Sequence, residues 1–234
     1  MRVREIVPAT ARVHSLVLDA PEWRGHLAGQ HIDIKLTAED GYAAERSYSI
    51  ASAPEDPDLV LTIERLDDGE VSPYLVDDVQ VGDALELRGP IGEYFVWTEA
   101  DGGPLLLIAG GSGVVPFRSM LRHHTANKSA VPVRLLYSAR TLASVIYKDE
   151  LDRLAADHGI DVRLTLTRER PDGWTGYARR IDEALLADVT WAPGDHPLIY
   201  ICGPNAVVEV AANTLVRLGH DPMRIRTERF GPTG

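Results

Sequence analysis

The stretch 105–116, LLLIAGGSGVVP, limits the fold more than any other part of the chain. Leu105, Leu106, Leu107, Ile108 and Ala109 form an unbroken apolar run. It is too short for a buried helix and is the pattern of a strand covered on both faces, as in a parallel sheet. Gly110, Gly111, Ser112 and Gly113 follow without a spacer, and the spacing predicts a helix over 117–124. Strand, tight turn and helix together are the opening unit of a doubly wound α/β domain. Glycines there let the backbone approach a pyrophosphate, while the helix start supplies N–H donors and a partial positive charge. The pattern departs from the usual dinucleotide fingerprint. Pro116 stands at the third glycine position, giving Gly111-x-Gly113-x-x-Pro116, and the proline suits a first helical turn. The acid normally expected about twenty residues on is replaced by Ser138-Ala139-Arg140.

Further strands are expected at 131–137, 161–167, 198–202 and 224–230, alternating with helices at 145–156, 182–187 and 205–218, the last closed by Gly219. With 105–109 they make a five-stranded parallel sheet. Upstream the texture differs. Runs at 10–18, 30–36, 45–51, 59–65 and 84–90, separated by Gly, Pro and Asp, predict an antiparallel β-barrel. The polar cluster 98–104 divides the two, so the domains are expected at 1–99 and 100–234. Within the first, Ser72-Pro73 has the form of an N-cap and first helical residue leading into Tyr74, Leu75 and Val76. Gly69 and Ser72 would bring free backbone donors to that helix start, a seat for phosphate.

The run 45–51 carries the second chemical signal. Alternation along a strand puts Arg46 and Tyr48 on one face and Ser47 and Ser49 on the other. A tyrosine ring can stack on a planar ligand while the guanidinium two residues away grips a phosphate. The bland alternative, a half-buried strand with a surface arginine and a core tyrosine, holds for these four residues taken alone.

Composition narrows the partners. A formal net charge of -11 argues against nucleic acid and anionic membrane as binding surfaces. No apolar run reaches the ~18 residues of a membrane span, and the N-terminus has no signal-peptide core, so the cytoplasm is the expected location. Cys202 is the one cysteine in the 234 residues, which rules out an internal disulfide or a four-cysteine iron–sulfur cluster within this sequence. No Ser/His/Asp triad is visible. His123 and His124 are adjacent rather than at ligand spacing; they read as solvated helix residues, and no metal site is expected.

Taken in order, Arg46-Ser47-Tyr48-Ser49, Gly69-Glu70-Val71-Ser72, Gly110-Gly111-Ser112-Gly113-Val114-Val115-Pro116, Cys202-Gly203-Pro204 and Glu228-Arg229-Phe230 resemble the motif series of the ferredoxin–NADP reductase superfamily over essentially the whole chain. The chain looks most like the two-domain reductases of bacterial oxygenases. The resemblance implies a flavin-binding barrel, a nicotinamide-nucleotide domain, and hydride transfer from NAD(P)H to FAD where the domains meet. Electrons would then pass to a separate acceptor such as a ferredoxin or an oxygenase component. It implies that Arg46 holds the flavin pyrophosphate, with Ser47 beside it in the same motif. Tyr48 would pack on the isoalloxazine and Ser49 would hydrogen-bond near N5. Gly69, Val71 and Ser72 would seat the flavin phosphates, and Gly111, Ser112, Gly113 and Pro116 those of the nicotinamide cofactor. Cys202 and Gly203 would lie at the nicotinamide, with Glu228 and Phe230 beside the flavin; 231–234 follow. Ser49, Cys202 and Glu228 are the expected catalytic residues. A free-flavin reductase and a redox-inactive nucleotide-binding module are the alternatives.

Cofactor choice turns on the end of the second α/β strand. Ser138 and Arg140 offer a hydroxyl and a guanidinium where an acid would repel a 2′-phosphate. Tyr147 could stack on adenine and Lys148 add positive charge. The expectation is NADPH, with NADH possible.

Overall fold

The computed structural model describes residues 1–38 and 40–230 and divides into two compact units, 1–97 with 115–127, and 98–114 with 128–234. The tail 231–234 noted after Phe230 lies outside the described residues.

The first unit contains two three-stranded antiparallel sheets. One has the order β1-β2-β5, with β1 Arg2–Thr10, β2 Val13–Asp19 and β5 Leu59–Glu64. The other has the order β4-β3-β6, with β3 His31–Thr37, β4 Ala43–Ser49 and β6 Glu86–Ile91. Leu16, Leu61 and Ile63 from the first sheet and Ile32 and Ile34 from the second bury completely in one shared core. A barrel-like arrangement results, as anticipated, because each sheet has one apolar face that only the other can cover. The strand expected at 10–18 is a correction. The chain turns at 11–12, and β1 precedes it as a separate edge strand. Pro8 and the charges at Arg2, Arg4 and Glu5 hide β1 in the sequence. An edge strand tolerates both, since half its backbone groups need no ladder partner and charge there blocks further pairing.

Helix α1, Val115–Ala126, groups with this unit. Arg118 Nη1 donates to Ala51 O at 3.1 Å and Ser119 Oγ to Ser52 O at 2.7 Å. Arg122 grips Asp56 through two bonds of 2.8 and 2.6 Å. The expectation of solvated histidines at its end is overturned. His124 is buried and its ring lies 5.8 Å from that of the buried Trp97, while His123 Nδ1 lies 2.7 Å from Glu55 Oε1. Their adjacency in sequence carried no sign of the tryptophan and glutamate, which reach them from distant segments.

The second unit is a five-stranded parallel sheet of order β11-β10-β7-β8-β9. Its strands are β7 Leu105–Gly110, β8 Val133–Ala139, β9 Asp161–Leu166, β10 Leu198–Pro204 and β11 Ile225–Phe230. The helices are α2 Lys148–His158, α3 Glu183–Val189 and α4 Asn205–Arg217. β7 is buried throughout, as its uninterrupted apolar run requires. The helix expected from 145 begins only at Lys148. Val145 is extended and Tyr147 takes a left-handed conformation, φ 62°, immediately before the first turn. The chain runs outward from β7 through β8 to β9, then returns to its other side with β10 and β11. The order therefore reverses between β7 and β10, which is where open α/β sheets bind ligands, beyond the carboxyl ends of the strands.

Candidate functional site

Two groups of residues, one in each unit, assemble from the sequence motifs. In the first unit Arg46 and Tyr48 share a face of β4, opposite Ile34 and Ile32 of β3. β4 is an edge strand, so the face that is core further along opens at its rim, leaving Tyr48 half-buried against the core and Arg46 exposed. Burial pushes the Tyr48 phenol well above its ordinary range, with Arg46 opposing, so the ring is neutral at any working pH. Arg46 Nη1 donates to Glu45 O at 2.8 Å, and its Nη2 forms an ion pair with Glu70. Ser47 faces the other way and donates to Asp33 Oδ1 at 2.6 Å. Arg88 donates to Asp33 Oδ2 at 2.8 Å. Burial raises the Asp33 pKa, but the bonds from Ser47 and Arg88 outweigh it and hold the carboxyl below its usual range.

Ser49 is the most informative residue of this group. It is 4% exposed, and its Oγ has no hydrogen-bond partner among the described residues. A buried hydroxyl left unsatisfied costs about 1–3 kcal/mol, so such a group points to a missing acceptor or donor. Its register partner on β3 is His31, whose half-buried imidazole is held below its ordinary pKa by burial. Nothing in the sequence marked His31; only the strand pairing brings it beside Ser49.

The phosphate seat expected at 69–72 is built differently from its sequence reading. The helical turn starts at Ser72 itself and continues as Tyr74–Asp78, with Pro73 making no side-chain cap. The Ser72 hydroxyl accepts from Leu66 N–H at 3.1 Å, and Gly69 N–H is taken by Leu66 O at 3.0 Å. Ser72 is thus no N-cap and Gly69 no free donor; together they pin the preceding loop. A Cβ at Gly69 would come within 2.8 Å of Ser72 Oγ, so the glycine keeps that turn closed. The first intrahelical bond runs from Leu75 N–H to Val71 O, which leaves the N–H groups of Val71 and Ser72 without an intrahelical acceptor.

In the second unit the expected residues gather at the carboxyl ends of four parallel strands. Gly110 ends β7 and Gly111–Gly113 follow it, Ser138 lies near the end of β8 and Arg140 follows it, Cys202 and Gly203 lie in β10, and Glu228 and Phe230 in β11. Ser138 stands in register with Gly110, Cys202 with Glu228, and Pro204 with Phe230. Gly113 touches the β10 backbone. A Cβ there would overlap the Cys202 carbonyl and sit 2.8 Å from Gly203 N, so no other residue fits without moving a strand end. Gly111 needs its left-handed φ of 54° to make the turn. Pro116, buried in the first turn of α1, groups with the first unit.

Cys202 is fully buried; burial first, then the charge of Glu228, push its thiol far up, so it is a neutral thiol rather than a nucleophile. Burial pushes the partly buried Glu228 carboxyl up to about 7, which leaves it half-protonated near neutrality. Arg140 is exposed, and Arg168 N–H donates to its carbonyl at 2.9 Å. Two exposed arginines therefore sit side by side on the β8 and β9 ends, a pairing no local sequence pattern marks because Arg168 follows a different strand. Lys148, expected to add charge here, is instead paired with Asp152 one turn along α2. Tyr147 holds the left-handed position just before that helix.

Both groups fit the expected cofactors on these observations: an orphaned buried hydroxyl beside an aromatic and a cation, and a glycine loop with no room for a side chain. The family model for the oxidoreductase FAD-binding domain matches residues 1–96, and that for the oxidoreductase NAD-binding domain matches 107–213. The chain is 32% identical to ferredoxin–NADP reductase B of Sorangium cellulosum, covering 98% of this chain and 96% of that one. It is 31% identical to the glycine betaine monooxygenase reductase subunit of Chromohalobacter salexigens, over 95% of this chain and 61% of that protein. The FAD/NAD-binding domain of the nitric oxide dioxygenase from Vibrio cholerae superposes with a TM-score of 0.86 at 29% identity, covering 99% and 98% of the two chains. Several curated relatives are longer, and this chain spans only 51% to 64% of their length. The chain belongs to the ferredoxin–NADP reductase family of FAD- and NAD-binding oxidoreductases.

Proposed function

We propose that this protein is an NAD(P)H-dependent FAD reductase that delivers electrons to a separate acceptor protein, a ferredoxin or an oxygenase component. The observation that carries the reading is the buried Ser49 hydroxyl, without a partner among the described residues, on the strand that also bears Arg46 and Tyr48. When bound, FAD would accept a hydride from the reduced nicotinamide and release the two electrons singly, which suits a link between a hydride donor and one-electron carriers.

The residues divide the remaining work. Arg46 would take a flavin phosphate, with the N–H groups of Val71, just before the helical turn, and of Ser72, which starts it, as further donors. Tyr48 would lie flat against the ring system, and Ser49 would hydrogen-bond the flavin at its reactive edge. The Gly111–Gly113 turn and Pro116 would form the bed for the nicotinamide cofactor's phosphates, with Cys202 and Gly203 at the nicotinamide. Glu228, near its midpoint at neutral pH, can hold or give up a proton, and Phe230 would shield that edge from water. Arg140, joined by Arg168, favours NADPH over NADH because two guanidiniums suit a 2′-phosphate. Sequence and family models support domain limits near 99/100, and a cytoplasmic location completes the proposal; among the described residues no helix is long and apolar enough to cross a membrane.

Stopped-flow bleaching of the bound flavin by NADPH, in Ser49→Ala and Cys202→Ala, tests the assignment. Both variants should keep the parent's thermal midpoint within a few degrees and reduce the flavin at least tenfold more slowly, about 1.4 kcal/mol in the barrier. Unchanged reduction rates in both would move the chemistry elsewhere.

A further inference from the structure

The ion pair that Arg46 makes is with the very segment expected to seat the flavin phosphates. Glu70 lies between Gly69 and Ser72, and its two carboxylate oxygens are both engaged. Oε2 pairs with Arg46 Nη2, and Oε1 accepts the Tyr42 hydroxyl at 2.6 Å. The other terminal nitrogen of Arg46 is bound to Glu45 O. Arg46 thus has no terminal nitrogen idle, and the anion it holds is one the chain itself provides. Glu70 directly precedes Val71 and Ser72 in the chain, and its carboxylate is turned to Arg46 and Tyr42.

We infer that Glu70 is a resident competitor for the flavin phosphate: its carboxylate and the phosphate are alternative partners of Arg46, so Glu70 must be displaced for Arg46 to bind FAD. The inference rests on the flavin reading of this site and names a residue that tunes its affinity. Two features make displacement rather than permanent pairing the expected behaviour. The Arg46 and Glu70 side chains are 51% and 47% exposed, so their attraction is weak and water can replace either partner. A carboxylate kept beside a bound diphosphate would be repelled by it, whereas one that swings out with Tyr42 regains hydration. Tyr42, 57% exposed, holds the carboxylate in place without being packed itself, so it can move with it.

The test is titration of the full-length apoprotein with FAD and, separately, with riboflavin, which has the ring but no phosphate. Glu70→Gln keeps the shape and the Tyr42 hydrogen bond but removes the charge. It should bind FAD about fivefold tighter at low salt, the equivalent of one exposed ion pair no longer given up, and bind riboflavin as the parent does. In an Arg46→Ala background the same change should give little or no gain. Tyr42→Phe, which frees the carboxylate without altering charge, should tighten FAD in the same direction by a smaller factor, and serves if Glu70→Gln fails to fold. Glu70→Gln binding FAD no tighter than the parent, or gaining equally for riboflavin, overturns the inference while leaving the flavin reading intact. A parent that binds neither ligand overturns both.

Discussion

The two halves of this protein prepare for their cofactors in opposite ways. In the first unit the site is made of side chains on the rim of an edge strand: a guanidinium, a phenol ring and a hydroxyl, with a carboxylate already holding the guanidinium. In the second it is made of backbone, where Gly113 lies against the Cys202 carbonyl and Gly203 against Gly110. Side chains on a rim can be exchanged at little cost to the fold, so selection there acts on ligand affinity. Touching backbones cannot be altered without moving strand ends, so the same number of atoms changed there reaches the fold itself.

A paired substitution breaks this comparison most sharply. Gly113→Ala should lower the stability of the second unit by roughly 1–3 kcal/mol through overpacking and abolish reduction by NADPH. Arg46→Ala should leave the melting temperature nearly unchanged, since exposed ion pairs contribute about 0–1 kcal/mol, yet loosen FAD by about 1.5–3 kcal/mol. Thermal melts and flavin retention through gel filtration measure both. A Gly113→Ala protein that melts like the parent, or an Arg46→Ala protein that keeps its flavin, would erase the distinction.

The contrast also explains what could be read from sequence. The glycine loop was legible because its constraint is local: strand, turn and helix are consecutive, and only glycine meets the geometry at 111 and 113. The Arg46-Ser47-Tyr48-Ser49 face was legible from alternation along one strand. What joins distant segments was not. Glu70 reaches Arg46 across 24 residues, and Asp33 reaches Ser47 across 14. Ser72 looked like an N-cap because Ser-Pro commonly is one, but its hydroxyl serves Leu66 instead, a bond across a loop that no local pattern announces. β1 escaped for the opposite reason, as edge strands are allowed the proline and charges that normally argue against a strand.

A smaller effect sharpens the second half of the comparison. Glu228 is raised in the folded state to about 7, from an ordinary 4.5. Between those values the folded protein binds the proton that the unfolded chain releases. Stability from this group is therefore full below about pH 4.5, declines as pH rises to about 7, and is then flat. Glu228→Gln should remove that decline and leave the variant more stable than the parent above neutrality, by on the order of 1–3 kcal/mol. Melting temperatures at half-unit pH steps from 5 to 8 would show it; parallel curves for the two proteins would mean that Glu228 keeps an ordinary carboxyl.

The smallest expected change is in cofactor preference. Arg140→Ala should cost about 1–3 kcal/mol in kcat/KM with NADPH and little with NADH, the lower end applying if Arg168 compensates. A parent that prefers NADH, or a ratio the substitution does not move, would remove the 2′-phosphate role while leaving the flavin half untouched.

The central claim, that the two differently built sites serve one electron path from nicotinamide to flavin, is met most directly by the absorption spectrum of the purified protein before and after anaerobic addition of NADPH and of NADH. The account predicts a yellow protein with non-covalently bound FAD that bleaches on addition of reduced cofactor, faster with NADPH. A colourless protein that takes up no flavin, or a bound flavin that neither cofactor bleaches, would contradict it.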